Sequence, residues 1–492
     1  PIIFLIENNG YGLSTPSSEQ FKCKKLSDKA VGYGIKGFTI DGNNVLEVYN
    51  TISKVAKDIR KGGGPVIIEA ITFRMRGHEE ASGTDYIPKK IFDKWLKKDP
   101  IENYKKYLKS KKILTDTIQK KIDKKICKKI DSSFEFSLNA KKPKSTFSIE
   151  INDVYKKYTF NLKSPKDKGL EMRYVDSISN SLRDIMLHND KTIIMGQDIS
   201  EYGGVFKITK GFLEKFGSDR VRNTPIIESG VLGASVGLAL DGFVPIIEMQ
   251  FADFVSCGFN QIVNNIAKTH YRWNESLNIT IRMPYGGGMS AGPFHSQSPE
   301  SWFFHTPGLK IVAPSSPFDA KGLLNASIED PNPVLYFEHK YMYRSIKGLV
   351  PNDYYNIKIG KADIKKIGTD VSIITYGMGV HWALDIANKL ENDNISIEVI
   401  DLRSLIPWDK NLVEESISKT NRVLILHEAN LTGGIGAEIS AHISEKCFQY
   451  LDAPVMRLGA IDTPIPFASD IEKEIYLPIN KIEQKIKELL NF

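Results

Sequence analysis

The stretch Asn223-Thr-Pro-Ile-Ile-Glu-Ser-Gly230 places one acid, Glu228, between a short apolar run and a series of small residues. The apolar run predicts a buried strand, and the small residues predict a tightly packed helix directly after it. Glu228 would then lie at the carboxyl end of a strand, where open α/β sheets bind their ligands. A carboxylate there can exchange one proton with a ligand, or it can simply complement the helix dipole. The small residues are Gly230, Gly233, Ala234, Ser235 and Gly237.

Length and composition are those of a globular protein with more than one domain. At 492 residues the chain is long enough for about two or three domains. Apolar residues make up 41% and charged residues 25%, which are ordinary shares for a soluble fold. No apolar run reaches the length of a membrane-spanning helix, so no membrane partner is expected. The cysteines lie far apart and predict free thiols in a reducing compartment, the cytoplasm: Cys23, Cys127, Cys257 and Cys447.

The net charge of +7 is unevenly distributed. The segment from Lys89 to Lys168 holds 24 lysines, no arginine and 10 acids, a net charge of +14, which leaves −7 for the rest of the chain. Lysine without arginine, and with few aromatic residues placed for stacking, argues against a nucleic-acid site. The segment predicts a solvated helical face and a linker, and contact with an acidic partner domain stays open.

Predicted strands and helices alternate along most of the chain, which indicates an α/β fold with mostly parallel sheets flanked by helices. Changes in composition predict units at 1–131, 169–350 and 351–492, joined by a linker at 132–168, and the last unit has a βαβ pattern. Residues 286–288 are three glycines and predict a flexible loop. Predicted strands include 65–74, 192–196, 244–251, 279–282 and 334–337, and predicted helices include 46–60, 174–187 and 254–272.

Two short motifs match known chemistry loosely. Gly377-Met-Gly-Val-His-Trp-Ala383 resembles the dinucleotide fingerprint G-x-G-x-x-G/A and Asp401 ends the next predicted strand, so nicotinamide binding at Gly377 and Gly379 is one alternative. Gly233-Ala-Ser-Val-Gly237 matches the nucleophile elbow of serine hydrolases, with Ser235 as nucleophile. The first lacks a second mononucleotide half, and the second lacks a strand directly before its first glycine. Close packing would explain both sets of glycines.

Several longer motifs together resemble one enzyme family. Glu7-Asn-Asn-Gly-Tyr11 is similar to the end of the thiamine-diphosphate motif, and Phe73-Arg-Met-Arg-Gly-His78 resembles the active-site loop of the α subunit of 2-oxoacid dehydrogenases. The chain therefore resembles a fused α–β decarboxylating component of such a complex, without the first part of the α region. The motifs that resemble the β subunit are Thr224-Pro-Ile-Ile-Glu228, Glu248-Met-Gln-Phe-Ala-Asp-Phe254, Phe294-His-Ser-Gln-Ser-Pro-Glu300 and Ile400-Asp-Leu-Arg-Ser-Leu-Ile-Pro-Trp408.

This resemblance implies transketolase-like thiamine-diphosphate-binding domains. Residues 1–131 would be the end of the diphosphate-binding domain, 169–350 the pyrimidine-binding domain and 351–492 the transketolase C-terminal domain. Thiamine diphosphate and magnesium would be the cofactors, and a lipoyl acyltransferase would be the partner. In two-subunit relatives the cofactor lies between α and β domains of an α2β2 assembly, so a fused chain is expected to form a homodimer.

The resemblance also assigns roles to single residues. Asn9, through its side-chain oxygen, and Tyr11, through its backbone carbonyl, would bind magnesium, and oxygen ligands suit this hard cation. The family's third ligand, the Asp of G-D-G, is not in this sequence, so weak cofactor binding is expected. Glu228 would hydrogen-bond the aminopyrimidine ring of the cofactor. His295 and His78 would act on the substrate carboxylate and in acyl transfer to the lipoyl group, with His78 on a mobile loop over the site.

The resemblance implies two further groups of site residues. Gln250 and Phe254 would line the cofactor or acyl pocket. Four residues align with a structural potassium site of branched-chain relatives, although a helix end followed by a turn explains them equally well. The four residues of the potassium set are Thr280, Ser327, Asp330 and Asn332.

The substrate is predicted from three motifs that resemble the branched-chain type of the family. They favour 3-methyl-2-oxobutanoate and related branched-chain 2-oxoacids. Pyruvate is the main alternative, because one or two methyl groups in an apolar pocket discriminate only modestly. Ketol transfer and a structural role without catalysis are further alternatives, and the presence of Glu228, His295 and His78 argues against the structural role. The three motifs are Gln250-Phe-Ala-Asp-Phe254, Ser316-Pro-Phe-Asp-Ala-Lys321 and Glu338-His-Lys-Tyr-Met-Tyr-Arg344.

Overall fold

The computed structural model describes residues 2–79 and 81–492. They form two compact units, one ending at Pro143 and the other running from Lys144 to Phe492. The division falls within residues 132–168, the predicted linker. In the described parts of the chain no helix is long and apolar enough to cross a membrane.

The first unit is built on a small parallel sheet. Its order is β1-β5-β4, and the central strand β5 is buried from Val66 to Ala70. Helix α3 packs on the sheet through Val55 and Ile59, since its apolar residues recur at helical spacing. The strands are β1 (Ile3–Asn8), β2 (Tyr11–Gly12), β3 (Thr15–Pro16), β4 (Lys36–Asp41) and β5 (Val66–Ile71). The helices are α1 (Ser17–Gln20), α2 (Lys29–Gly32), α3 (Val45–Arg60), α4 (Lys89–Leu96), α5 (Pro100–Ser110) and α6 (Asp116–Asn139).

The Lys-rich segment is mostly helical between residues 89 and 139, as its pattern predicts, but there it forms three helices, α4 to α6. Asp99 caps α5 by accepting from two backbone N–H groups, and Thr115 caps α6 in the same way from one. Helix α6 extends past residue 131, into the predicted linker, and contains no buried residue.

The core of the second unit is a seven-stranded sheet of order β17-β11-β12-β10-β9-β7-β8. The strands from β8 to β11 in this order run parallel, and only β17 is antiparallel. Parallel strands with helices on both faces are buried on both sides, and β10 and β12 are buried along their whole length. The strands are β6 (Leu170–Arg173), β7 (Thr192–Gly196), β8 (Val221–Asn223), β9 (Val244–Glu248), β10 (Thr280–Tyr285), β11 (Lys310–Val312), β12 (Val334–His339) and β13 (Lys347–Val350).

Helices cover both faces of this sheet. Helix α8 packs on α13, and α10 packs on β9 and on the irregular helical stretch that follows β9. The helices are α7 (Phe147–Asn152), α8 (Tyr174–His188), α9 (Phe212–Phe216), α10 (Glu228–Leu240), α11 (Thr269–Trp273), α12 (Ser301–Phe304), α13 (Pro317–Glu329) and α14 (Met342–Ser345).

A second, five-stranded sheet of order β14-β16-β15-β18-β19 forms the C-terminal part of this unit. Its strand β14 is antiparallel to β16, while the remaining pairs are parallel. The following β17 joins the seven-stranded sheet, which ties the two sheets together. The strands are β14 (Asp363–Lys366), β15 (Val371–Thr375), β16 (Ile397–Asp401), β17 (Ser404–Ile406), β18 (Val423–Asn430) and β19 (Met456–Ala460). The helices are α15 (Met378–Glu391), α16 (Lys410–Thr420), α17 (Gly436–Lys446), α18 (Ser469–Ile471) and α19 (Ile482–Leu490).

The mostly parallel α/β architecture confirms the predicted fold class, but the stretch around Glu228 differs from its prediction. The apolar run is not a buried strand, because Ile226 and Ile227 are exposed to 84% and 53%. Strand β8 lies upstream and ends at Asn223. Pro225 follows, and proline has no N–H to donate to a sheet. The helix prediction is confirmed, because α10 begins at Glu228.

The long helix predicted at 254–272 is interrupted. The chain instead forms a 3-10 turn at Ala252–Gly258, a π-helical turn at Gln261–Ile266 and the short helix α11. At Gly258 the backbone comes so close to α10 that a Cβ would lie 2.3 Å from Leu232 Cδ1. A glycine is therefore needed at this break.

Candidate active site

In the first unit, Asn9 and Tyr11 lie directly after β1, at the carboxyl end of the sheet. The turn is shaped by asparagine side chains, because Asn8 Oδ1 accepts from Gly10 N–H at 3.1 Å and Asn9 Oδ1 accepts from Tyr11 N–H at 2.9 Å. Asn8 Nδ2 also donates to Glu69 Oε1 at 2.7 Å, which ties the turn to β5. These contacts hold Asn9 and Tyr11 in one tight turn.

A cavity of about 670 Å³ lies beside this turn. Asn9 and Tyr11 line it together with Lys22, Lys24 and Lys94. Three ammonium groups beside amide and carbonyl oxygens suit an anionic ligand that is held through a hard cation. The Asn9 oxygen has a second lone pair beyond its bond to Tyr11 N–H, so the donors fit magnesium and a diphosphate.

His78 is exposed and lies in a bend between β5 and α4. This placement agrees with the predicted loop. Neighbouring Glu80, in the same motif, lies outside the described residues. The described part of the chain holds no group of three His, Cys, Asp or Glu side chains that could bind a metal.

In the second unit, Glu228 is the first residue of α10 and is half-buried. Its Oε1 accepts from Gln197 Nε2 at 3.0 Å. Gln197 follows β7 directly, so two adjacent strand ends, those of β7 and β8, supply this pair. Gln197 could not be found from the sequence, since a lone glutamine after a strand has no distinctive pattern.

Phe254 and His295 come together in an aromatic cluster with Phe251. The His295 ring lies edge-on to Phe251 at 4.9 Å and to Phe254 at 5.6 Å between ring centroids. Helix α10, which begins at Glu228, packs on the 3-10 turn that carries Phe254. Phe251 was missed as a separate site residue, although it lies inside the motif that ends at Phe254.

Gln250, also predicted for this pocket, lies at the edge of the cluster. Its Nε2 donates to Asp198 Oδ2 at 3.0 Å. Asp198 is one of the few non-glycine residues with positive φ, +58°. The side chain of Gln250 is therefore oriented by a loop that follows β7.

Beneath this cluster a buried arginine links three neighbouring strands. Arg282 on β10 donates to Glu338 on β12 at 2.6 and 2.8 Å and to Glu248 on β9 at 2.5 Å. Arg282 and Glu338 are fully buried, and Glu248 is 6% exposed. The triad thus joins β9, from which the chain continues to Gln250, with β10, from which it continues to the loop that leads to His295. Sequence reasoning missed it, because its members are far apart in the chain.

Two buried groups near His295 have shifted pKa values. Burial raises the pKa of Glu300 to about 7, although Tyr376 O–H donates to its Oε1 at 2.6 Å. Burial lowers the pKa of Lys340 to about 8. Within the described residues Lys340 Nζ has no hydrogen-bond partner. Such groups are typical of functional sites but occur in structural networks as well.

The predicted potassium residues lie next to one another, but their side chains are already bonded. Asp330 accepts from Lys310 Nζ at 2.5 Å and from Asn332 Nδ2 at 2.9 Å. Ser327 Oγ donates to a backbone carbonyl of its own helix, and Thr280 Oγ1 donates to the Ser327 carbonyl. Lys310 already supplies the positive charge. In this structure these side chains therefore bond one another, their own helix and Lys310, and potassium stays a prediction.

The two loose motifs are explained by packing. A Cβ at Gly377 would lie 2.3 Å from Tyr285 Oη, so the start of α15 is covered where a pyrophosphate would bind. Asp401 is buried and accepts from Ser315 Oγ at 2.5 Å. Ser235 is fully buried inside α10 and donates to the Leu232 carbonyl at 2.7 Å, unlike an exposed nucleophile.

Known protein families and relatives match most of the chain. Three family models match: "Dehydrogenase E1 component" over residues 1–146, "Transketolase, pyrimidine binding domain" over 171–345 and "Transketolase, C-terminal domain" over 360–482. The 2-oxoisovalerate dehydrogenase subunit beta of Bacillus subtilis is 47% identical over 324 residues, which are 65% of this chain and 99% of that protein. A pyruvate dehydrogenase E1 component subunit beta of Staphylococcus aureus is 42% identical over 325 residues, again 65% and 99%.

A solved structure shares the fold of the larger part of the chain. It is a split-gene transketolase, an inactive beta4 tetramer, with a TM-score of 0.56 and 23% identity. The likeness covers 65% of this chain and 99% of that chain. At this identity the match concerns the fold alone.

Proposed function

The chain belongs to the E1 component family of thiamine-dependent 2-oxoacid dehydrogenases, with an α-type region fused to a β-type region, and we propose that it decarboxylates branched-chain 2-oxoacids. The observation that carries this proposal is that Glu228, paired with Gln197, begins the helix α10, which packs on the turn that carries Phe254, and Phe254 in turn contacts His295. The preferred substrate would be 3-methyl-2-oxobutanoate. Two observations support this choice. The chain is 47% identical to the 2-oxoisovalerate relative but 42% identical to the pyruvate relative, and it contains the branched-chain-type motifs.

Asn9 and Tyr11 would hold magnesium, and Lys22, Lys24 and Lys94 would complement the diphosphate of the cofactor. When bound, thiamine diphosphate supplies the nucleophilic carbon and the electron sink for loss of carbon dioxide. The cation and the ammonium groups orient and neutralise the charged end of the cofactor. This assignment rests on the donor types and on the cavity beside the turn.

Glu228 would keep one proton in a strong hydrogen bond to the aminopyrimidine ring. Gln197 Nε2 donates to one carboxylate oxygen and so leaves the other for the ring. Phe254 and Gln250 would line the acyl pocket. His295, clamped edge-on by Phe251 and Phe254, would steady the substrate carboxylate.

His78 would assist acyl transfer to a lipoyl group from its exposed loop. The acceptor would be the lipoyl acyltransferase of the same complex, and the fused chain would work as a homodimer. Pyruvate as main substrate is the second candidate, since a relative 42% identical to this chain is a pyruvate dehydrogenase subunit.

The test measures carbon dioxide release by the full-length protein with thiamine diphosphate and magnesium. 3-Methyl-2-oxobutanoate and pyruvate are offered separately. Cofactor-dependent release with a higher kcat/KM for the branched acid supports the proposal, and preference for pyruvate overturns the substrate. Glu228→Gln should lower kcat at least about tenfold, because it removes one charge-assisted hydrogen bond. Glu214→Gln, an exposed acid of α9, is the matched control and should be unchanged.

A further inference from the structure

The loop that leads from β10 to His295 is tied to two buried carboxylates that lie far away in the sequence. Gly287 N–H donates to Glu428 Oε1 at 2.5 Å. Gly288 N–H donates to Glu472 Oε1 at 2.7 Å, and Ser290 N–H donates to Glu472 Oε2 at 2.9 Å. Glu472 thus uses both oxygens on one short segment. The loop predicted as flexible is held by three hydrogen bonds from its backbone to carboxyl oxygens.

The glycines of this loop are required by the carboxylates and their neighbours. A Cβ at Gly287 would lie 2.8 Å from Glu472 Oε1, and a Cβ at Gly286 would lie 2.2 Å from His339 Nε2. Gly286 also has a φ of +89°, which other residues rarely adopt. At Gly286 and Gly287 the backbone therefore lies too close to His339 and Glu472 for a residue with a Cβ.

The two carboxylates are buried in the C-terminal part of the unit. Glu472 is 0% and Glu428 6% exposed. Glu428 Oε2 also contacts His339 Nε2 at 2.6 Å. Burial opposes ionisation of Glu428, but His339 and the Gly287 N–H leave its pKa lowered, so the carboxylate is charged at neutral pH. Charged acceptors of this kind make the strongest hydrogen bonds to backbone N–H groups.

The anchored segment continues directly to His295. Gly286 N–H donates to the Gln297 carbonyl at 3.1 Å, which closes the loop at its base. Gln297 N–H in turn donates to Asp253 Oδ1 at 3.0 Å, and His295 N–H donates to the Gly292 carbonyl at 3.4 Å. The bonds of Gln297 thus fix the base of the loop, and Glu472 fixes the backbone at Gly288 and Ser290.

We propose that Glu472, together with Glu428, is a positioning residue for His295: it holds the backbone of Gly288 and Ser290 and so sets where the imidazole lies. The proposal deepens the proposed function and rests on it for the catalytic consequence. Its structural part, the anchoring of the loop, holds independently of the substrate. Because Glu472 is fully buried and both of its oxygens bond the loop, it acts through the loop.

The first arm of the test needs no activity. Hydrogen exchange of residues 286–297 is compared in the full-length wild type, Glu472→Gln and Glu398→Gln. Glu398 is the matched control, since it is equally buried in the same part of the unit but bonds Ser416 and Lys419. Glutamine at 472 has one acceptor oxygen in place of two. We expect the amides of Gly288, Ser290 and His295 to exchange about 10 to 100 times faster in Glu472→Gln only.

The second arm measures acyl transfer to a free lipoamide probe. Glu472→Gln should lower kcat about tenfold and leave the dissociation constant of thiamine diphosphate unchanged. His295→Ala and the double variant complete a cycle. If Glu472 acts through His295, the double variant is no slower than His295→Ala alone.

Each outcome decides one of the two proposals. Unchanged exchange in Glu472→Gln overturns the anchoring, and so does equal loosening in Glu398→Gln. Multiplicative losses in the double variant overturn the route through His295. A wild type that decarboxylates no 2-oxoacid refutes the proposed function, while the exchange of the His295 amide still decides whether Glu472 positions this residue.

Discussion

Wild type should lose stability as the pH rises through neutrality, because the buried Glu300 then ionises. Replacing Glu300 with glutamine should remove this loss. The Glu300 side chain is buried, and among the described residues its Oε2 has no hydrogen-bond partner. Burial is the main reason that its pKa rises from 4.5 to about 7, and the nearby charge of Glu428 acts in the same direction. The folded protein therefore favours the protonated carboxyl.

The sign and the size follow from this shift. Because the folded pKa lies above the unfolded one, the contribution to stability is full below pH 4.5 and is lost as the pH rises through about 7. A shift from 4.5 to about 7 corresponds to about 3 kcal/mol. Glutamine keeps the shape and an acceptor for Tyr376 O–H but cannot ionise.

Urea unfolding of wild type and Glu300→Gln between about pH 5 and pH 8 measures the difference. The variant should gain about 2 to 3 kcal/mol relative to wild type over this range. Tyr376→Phe is the companion variant, because loss of the donor to Oε1 should raise the pKa of Glu300 further and move the transition to higher pH. Parallel stability curves of wild type and Glu300→Gln would refute the buried, titrating carboxyl.

Two further predictions concern the packing beneath the site. Arg282→Met leaves two buried carboxylates without their cation and should lower the free energy of unfolding by about 3 to 5 kcal/mol. The measurement is the urea midpoint of the second unit, which should fall. An unchanged midpoint would contradict the triad. Gly286→Ala should lower the melting temperature more than Gly288→Ala does. Both have positive φ, but only at Gly286 does the added Cβ meet a ring nitrogen, His339 Nε2, at 2.2 Å, and the nearest atom at Gly288 is 3.4 Å away.

Local pattern predicted most regular elements of the fold, because burial and periodicity coincide there. The strand at 192–196 and the helix α3 follow from runs whose apolar spacing matches the element. The prediction failed where tertiary contacts override the local pattern. The residues around Phe254 are apolar at helical spacing, yet the backbone is a 3-10 turn, because Gly258 lies directly against α10.

The residues of the candidate site likewise fall into those that local sequence predicts and those that only tertiary contacts bring in. Glu228, His295 and Asn9 could be found, because each lies in a motif of consecutive residues. Gln197 could not, since it meets Glu228 through the pairing of β7 with β8 and not through neighbouring sequence. Glu472 is further still, 182 residues from Ser290, and joins the site only when the two sheets come together.

The glycine motifs show why contacts of this kind decide function. Gly286-Gly287-Gly288 predicts a flexible loop, and Gly377 with Gly379 predicts a phosphate-binding turn. The sequence matches both patterns, whatever surrounds these glycines in the fold. In the fold, Gly287 faces a carboxylate of Glu472 and Gly377 faces the hydroxyl of Tyr285. At these two positions the glycine indicates only that something approaches the backbone closely. Whether that is a ligand, a carboxylate or a phenol depends on a residue elsewhere in the chain, so the partner atom and not the glycine pattern identifies the role.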